Sequence, residues 1–202
     1  MADQSDAVPD VAGARATPAA APSELLMALY MGDHERANTL ATGAALTLPE
    51  LAALGDLLHV ADHLAQHADD LHDLSGDGWT ALHLASFFGF ANIVVALIRA
   101  GASHAAQSRN EQGNTPLHAA LAGKCDRTVV CALLAADADA SAIDAQGYAP
   151  LHLAASRGNR ELSELLIVCG AWKDIQTPDG KRAADIARDR GHAELADWLM
   201  LA

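Results

Sequence analysis

Basic residues are scarce in this chain: 13 Lys and Arg stand against 26 Asp and Glu, a formal charge of −13 over 202 residues. Nucleic-acid binding draws on lysines and arginines that displace phosphate counterions, so DNA, RNA and anionic membranes are not expected partners. The deficit is concentrated. Residues 1–76 hold twelve acids and two bases, Arg15 and Arg36, for a net of −10, while residues 77–202 hold fourteen acids and eleven bases, for a net of −3. Such a field is compatible with a basic protein partner, and it also aids solubility. Cysteine is rare too. Cys125, Cys131 and Cys169 are odd in number and form no C-x-x-C, so a disulfide framework is not indicated and a reducing compartment, the cytoplasm, is the simpler reading. There are only eight aromatic residues, so a core built on large rings is not available; abundant alanine lets helices approach closely instead. Residues 1–22, with Asp3, Asp6 and Asp10 among Ala and Pro, lack a basic start followed by an apolar stretch, so they do not resemble a secretory signal and read as a disordered tail. No Walker-type glycine loop, no G-x-S-x-G and no distinct carboxylate pair occurs, so nothing points to an enzyme.

One long uncharged run exists, the twenty positions from Trp79 to Ile98, which is long enough to span a bilayer. It contains His83, Ser86, Asn92 and a helix-breaking Gly89, and it reads as the buried face of a stacked unit rather than as a membrane helix.

What the chain does have is periodicity. Leu82-His83, Leu117-His118 and Leu151-His152 lie 35 and 34 residues apart, preceded by Thr80-Ala81, Thr115-Pro116 and Ala149-Pro150 and followed by Ala85, Ala119-Ala120 and Ala154-Ala155. A glycine leads each phrase: Gly78, Gly113, Gly147 and then Gly180. Farther along each unit, Ile93, Leu97 and Ile98 match Val129, Leu133 and Leu134, and Leu162, Leu166 and Ile167. This i, i+4, i+5 set covers one helical face. Gly101 and Gly170 come next and predict left-handed closures, and Asp137 stands at the same position of its unit, where it either adopts that conformation or ends its helix differently. Self-similarity at this period means small units stacked in a line, each too small to be stable alone.

The phrase Thr115-Pro116-Leu117-His118-Ala119-Ala120 resembles the signature of ankyrin repeats, strongly from about Gly78 to Ala202 and more weakly from about Ser23 to Asp77. The resemblance implies an all-α solenoid of helix-turn-helix units with short β-turn fingers, here a single domain over 23–202. Its units read as degenerate N-terminal capping repeats at 23–46 and 47–77, regular repeats at 78–112, 113–146 and 147–179, and a polar C-terminal cap at 180–202. In the cap, Arg182 and Asp185 replace threonine and histidine. Within the first capping repeats, Leu25, Leu26, Leu29 and Tyr30 form an apolar stripe, Gly32-Asp33 breaks it, and a second short helix runs near His34–Thr42. Thr47 with Glu50 then predicts a capping box.

The three phrase histidines cannot share a metal. Equivalent positions on neighbouring helices stand roughly 8–10 Å apart, whereas a zinc–nitrogen bond is about 2.1 Å. An imidazole that donates and accepts at once ties adjacent turns instead, the role that the resemblance implies for them with Thr80 and Thr115. His59, His63 and His67 are the better metal candidates, at i, i+4 and i+8 with Asp62, Asp69, Asp70, His72 and Asp73 nearby. One metal bridges the roughly 6 Å of the i, i+4 pair but not the roughly 12 Å to i+8. A metal-responsive protein is thus the alternative reading, while the first reading needs no metal or cofactor. The cysteines read as small buried or half-buried thiols.

The resemblance further implies that fingers and first helices line a concave face that meets a partner protein. The finger slot before each phrase holds Trp79, Asn114, Tyr148 and Lys181, varied in size and charge within a constant frame. Polar tips add Asp77, Gln112, Asp144, Gln146 and Asp179. First-helix slots give Phe87 and Phe88, Ala122 with Lys124 near it, and Ser156 with Arg157. The expected function is non-enzymatic protein binding through these side chains by a monomeric module.

Overall fold

The computed structural model describes residues 21–124 and 126–201; the tail expected at 1–22 falls almost wholly outside them, as does Cys125. Twelve α-helices and one 3-10 turn make up the regular structure of the described residues, with a single isolated antiparallel bridge between Leu74 and Thr80. The helices come in antiparallel pairs: α1 (Glu24–Tyr30) with α2 (His34–Ala41), α3 (Leu48–Leu54) with α4 (Leu57–Gln66), α5 (Ala81–Phe88) with α6 (Ala91–Arg99), α7 (Pro116–Ala122) with α8 (Arg127–Ala135), α9 (Pro150–Ser156) with α10 (Arg160–Val168), and α11 (Ala183–Asp189) with α12 (Ala193–Leu201). The first helices α1, α3, α5, α7, α9 and α11 pack in that order, with α4, α6 and α8 alongside as a second layer. This is the ankyrin-repeat solenoid, and the uncharged run from Trp79 is split between α5 and α6 at Gly89. Among the described residues no helix is long and apolar enough to cross a membrane.

The local signals explain the pairs. Thr47 Oγ1 accepts from the Glu50 amide while a Glu50 carboxylate oxygen accepts from the Thr47 amide, closing the predicted capping box. Leu97, Leu133 and Leu166 are fully buried in one continuous core, with Ile93, Val129 and Leu162 beside them and Ile98, Leu134 and Ile167 packed at its edge. The helices ahead of Gly101 and Gly170 end on left-handed residues (φ +100° and +94°), and Asp137 takes the same role with φ +63°. Most carbons in this core come from Leu, Ile, Val and Ala. Apolar burial is worth roughly 25 cal/mol per Å2, and one continuous core links residues of successive pairs from Leu48 to Leu199, so each pair is also held by its neighbours.

The repeat histidines fix the register of the stack. In each, Nδ1 accepts from a backbone amide at the start of its own helix: Thr80 to His83 at 3.4 Å, Thr115 to His118 at 3.3 Å, Ala149 to His152 at 2.9 Å. The amide must donate, so Nδ1 carries no proton and Nε2–H is the donor. That N–H reaches into the next unit, to the carbonyls of Asn114 at 2.8 Å, Tyr148 at 3.0 Å and Ile175 at 3.1 Å. Burial holds all three rings neutral; desolvation pushes His83 down to about 4 and lowers His118 and His152 as well. At Asp185 the pattern changes. Its carboxylate still accepts from the Arg182 amide at 3.0 Å, but a carboxylate has no proton to pass onward.

Candidate functional site: a groove between fingers and first helices

Each finger is a tight reversal closed on itself. The amides of Ser75, Ser108, Asp144 and Thr177 donate to the carbonyls of Trp79, Asn114, Tyr148 and Lys181, at 2.8–2.9 Å. The side chain of each of those four residues returns the bond, accepting from the amide at the other end: Trp79 to Ser75 at 3.1 Å, Asn114 to Ser108 at 2.8 Å, Tyr148 to Asp144 at 2.8 Å, Lys181 to Thr177 at 3.2 Å. Short polar residues cap their own turns in this way. Gly78 and Gly147 let neighbouring fingers touch. A Cβ on Gly78 would meet the Arg109 backbone at 2.7 Å, and one on Gly147 would meet the Pro178 ring at 2.6 Å. Since the histidine ladder anchors the carbonyls of Asn114 and Tyr148, the finger slots are fixed by the same bonds that set the stack.

The last three fingers and the helices α7, α9 and α11 enclose a groove of about 450 Å3. Gln112, Asn114, Asp144, Tyr148 and Lys181 of the predicted set line it, as do Gln146 and Asp179. Its floor is Ala122, Leu153, Ser156 and Ile186, and Asp189 with Arg190 closes its far end. The Tyr148 ring stands half-buried, edge-on to His152 with centroids 6.0 Å apart. Lys181 Nζ is 2.7 Å from Asp189 Oδ2 and 3.7 Å from Asp179 Oδ2; those carboxylates keep the ammonium charged and raise its pKa.

The rest of the predicted set lies elsewhere. Trp79 and Phe88 are buried, and Phe87 and Asp77 are half-buried. Helix α1 lies against them: the Tyr30 ring is edge-on to Phe87 at 5.8 Å and stacked on Phe88 at 5.6 Å, and its hydroxyl donates to Asp77 Oδ2 at 2.8 Å. Burial and that acidic acceptor push the Tyr30 hydroxyl pKa far up. Trp79 and Phe88, expected above among the partner-facing side chains, sit in the buried cluster that also holds Leu25, Leu26 and Leu29 of α1. Asn114 lines the groove but is itself buried, its amide donating to Gln112 Oε1 at 3.0 Å. Exposed Arg157 donates to the carbonyl of the groove residue Ala122 and so flanks the groove, whereas exposed Lys124 lies over the preceding unit, its Nζ 5.9 Å from the Phe90 ring centroid.

Sequence reading missed Leu153, Ile186, Asp189 and its neighbour Arg190. Their signal is positional: Leu153 and Ile186 follow His152 and Asp185 directly, and Asp189 continues the column Phe87, Ala122, Ser156 four residues after each phrase histidine or its replacement.

The three-histidine helix is differently arranged. His59 Nδ1 is 2.6 Å from Asp56 Oδ2 and His63 Nε2 is 2.8 Å from Asp70 Oδ2, with the His63 and His67 rings 5.2 Å apart. No group of three or more metal-ligating side chains converges among the described residues. Cys131 is half-buried, as expected, but Cys169 is exposed because it caps the end of α10 instead of facing the core.

Comparison with known proteins agrees with this architecture. A family model for ankyrin repeats in three copies matches residues 50–144 and 120–202. The chain is similar to the nuclear factor NF-kappa-B p105 subunit of Gallus gallus, 36% identical over 112 residues, which is 55% of this chain and 11% of that protein. It is also similar to the target of rapamycin complex 2 subunit AVO2 of Saccharomyces cerevisiae, 31% identical over 157 residues, 77% of this chain and 37% of that protein. A third similarity is to the B-cell lymphoma 3 protein homolog of Mus musculus, 32% identical over 130 residues, 63% of this chain and 29% of that protein. The chain thus spans well under two thirds of these relatives. With the family model covering 50–202, the protein belongs to the ankyrin-repeat family.

Proposed function

We propose that this protein is a non-enzymatic binding module that presents the groove of Gln112, Asp144, Tyr148 and Lys181 to another protein, acting as a monomer in the cytoplasm. Ankyrin repeats in general mediate protein–protein interaction. The observation that carries the reading is the groove itself: three successive fingers and three first helices contribute equivalent slots to one open surface, with different side chains in each slot. The mechanism is rigid display. Finger backbones are tied to the stack by the histidine ladder and to each other by the Arg109 amide donating to the Gly78 carbonyl and the Ala145 amide to the Gln112 carbonyl. Little ordering entropy is then lost on association. Tyr148 is the aromatic anchor, a residue type enriched among interface hot spots.

The test is a pair of groove substitutions, Tyr148→Ala and Ser156→Arg, the second placing a long side chain over the floor. Partner capture from native extract should drop at least tenfold with far-UV circular dichroism unchanged. Undiminished capture by the double variant would show that another face binds.

A further inference from the structure

The groove has a first rung already filled by the chain's own side chain. In the tip column Asp77, Gln112, Gln146, Asp179, the leading residue accepts from the Tyr30 hydroxyl at 2.8 Å. In the floor column Phe87, Ala122, Ser156, Asp189, the leading residue meets the edge of the same ring at 5.8 Å. Tyr30 thus places a flat apolar body on the floor and a hydrogen-bond donor on a carboxylate tip. The next rungs carry the same two columns, and there the groove is open.

We propose, building on the groove reading above, that these open rungs take an extended segment of a partner protein bearing arginine or lysine side chains, which continues the row begun by Tyr30. Charge favours this occupant. Asp144, Asp179 and Asp189 line the groove against Lys181 and Arg190, and Lys181 is already held by two of the three carboxylates. Asp144 spends Oδ1 on the amides of Gln146 and Tyr148, at 3.0 and 2.8 Å, which leaves Oδ2 for an incoming donor. The chain as a whole is at −13, of which the residues 77–202 that carry the groove hold −3, and this net acidic field attracts a basic partner from a distance. Two further amides, Gln112 and Gln146, stand at the tips to pair with main-chain groups. Three rungs at roughly 10 Å spacing span about 20 Å, the length of roughly six extended residues.

The experiment is selection of random decapeptides displayed on phage against the full chain, followed by fluorescence anisotropy on the enriched sequences. The expected result is enrichment of Arg and Lys, affinity that falls with added salt, and a loss of at least tenfold in Asp144→Asn/Asp179→Asn. Asparagine keeps an Oδ1 acceptor for the Tyr148 amide at position 144 and for the Thr177 hydroxyl at position 179, so the fold is retained and circular dichroism checks it. Peptides without basic enrichment whose binding Ser156→Arg still abolishes would overturn the basic-segment proposal and leave the groove reading standing. Basic peptides indifferent to both variants, or no enriched peptide at all, would overturn the proposal too, with the capture assay then judging the groove separately.

Discussion

His118 does two jobs with one neutral ring, accepting from the Thr115 amide and donating to the Tyr148 carbonyl. In His118→Ala a buried amide and a buried carbonyl lose their partner and a cavity opens, so the unfolding free energy should fall by about 2–4 kcal/mol in urea titration; unchanged stability would refute the tie. The ladder also sets an acid limit. Folded His83 has its pKa lowered to about 4 from 6.5, with His118 and His152 lowered in the same direction. Below pH 6.5 the unfolded chain takes up protons that the folded rings refuse. Stability is therefore complete above about 6.5 and is lost as pH falls toward 4, with His83 alone contributing on the order of 3 kcal/mol. A melting temperature flat between pH 7 and 5 would contradict this. At Asp137 the backbone is left-handed in a residue with a side chain, and Asp137→Gly should gain a few tenths to about 1 kcal/mol in the same titration.

Helix pairs succeed or fail by the faces they share. Leu133 is fully buried between units, and Leu133→Ala should cost about 2–5 kcal/mol in thermal or chemical unfolding. At the N-terminus, α1 is seated by its buried Leu25, Leu26 and Leu29, and Tyr30 adds ring contacts and a hydrogen bond at its end. Tyr30→Phe keeps the ring packing and removes the bond to Asp77, for a loss of about 1 kcal/mol read most directly as faster amide exchange over residues 24–31. The leucine slots, the three histidine ties, the capping box at Thr47 and the left turn at Asp137 were legible in the sequence because each is a short-range pattern with a fixed period. The burial of Trp79 and Phe88 was not. Slot counting tells where a side chain starts, whereas what covers it depends on Tyr30, which meets Asp77 from 47 positions away. No short-range pattern shows that Tyr30 of α1 lies against Phe87 and Phe88, two units along the stack.

On the scale of the whole molecule, one spine serves both stability and recognition. The core runs without a break from Leu48 to Leu199, and the bonds that join its units also hold the finger carbonyls that frame the groove. Half of the expected surface, from Gln112 to Lys181, came together there; the aromatic half at Trp79, Phe87 and Phe88 became the seat of the N-terminal hairpin. The second layer of helices offers the contrasting face, with exposed Glu164 paired to Arg160 on α10. A photo-crosslinking amino acid placed at Ser156 in one variant and at Glu164 in another compares the two faces directly in native extract. The account predicts that the same partner protein is trapped from Ser156 and not from Glu164; trapping from Glu164 alone would contradict it.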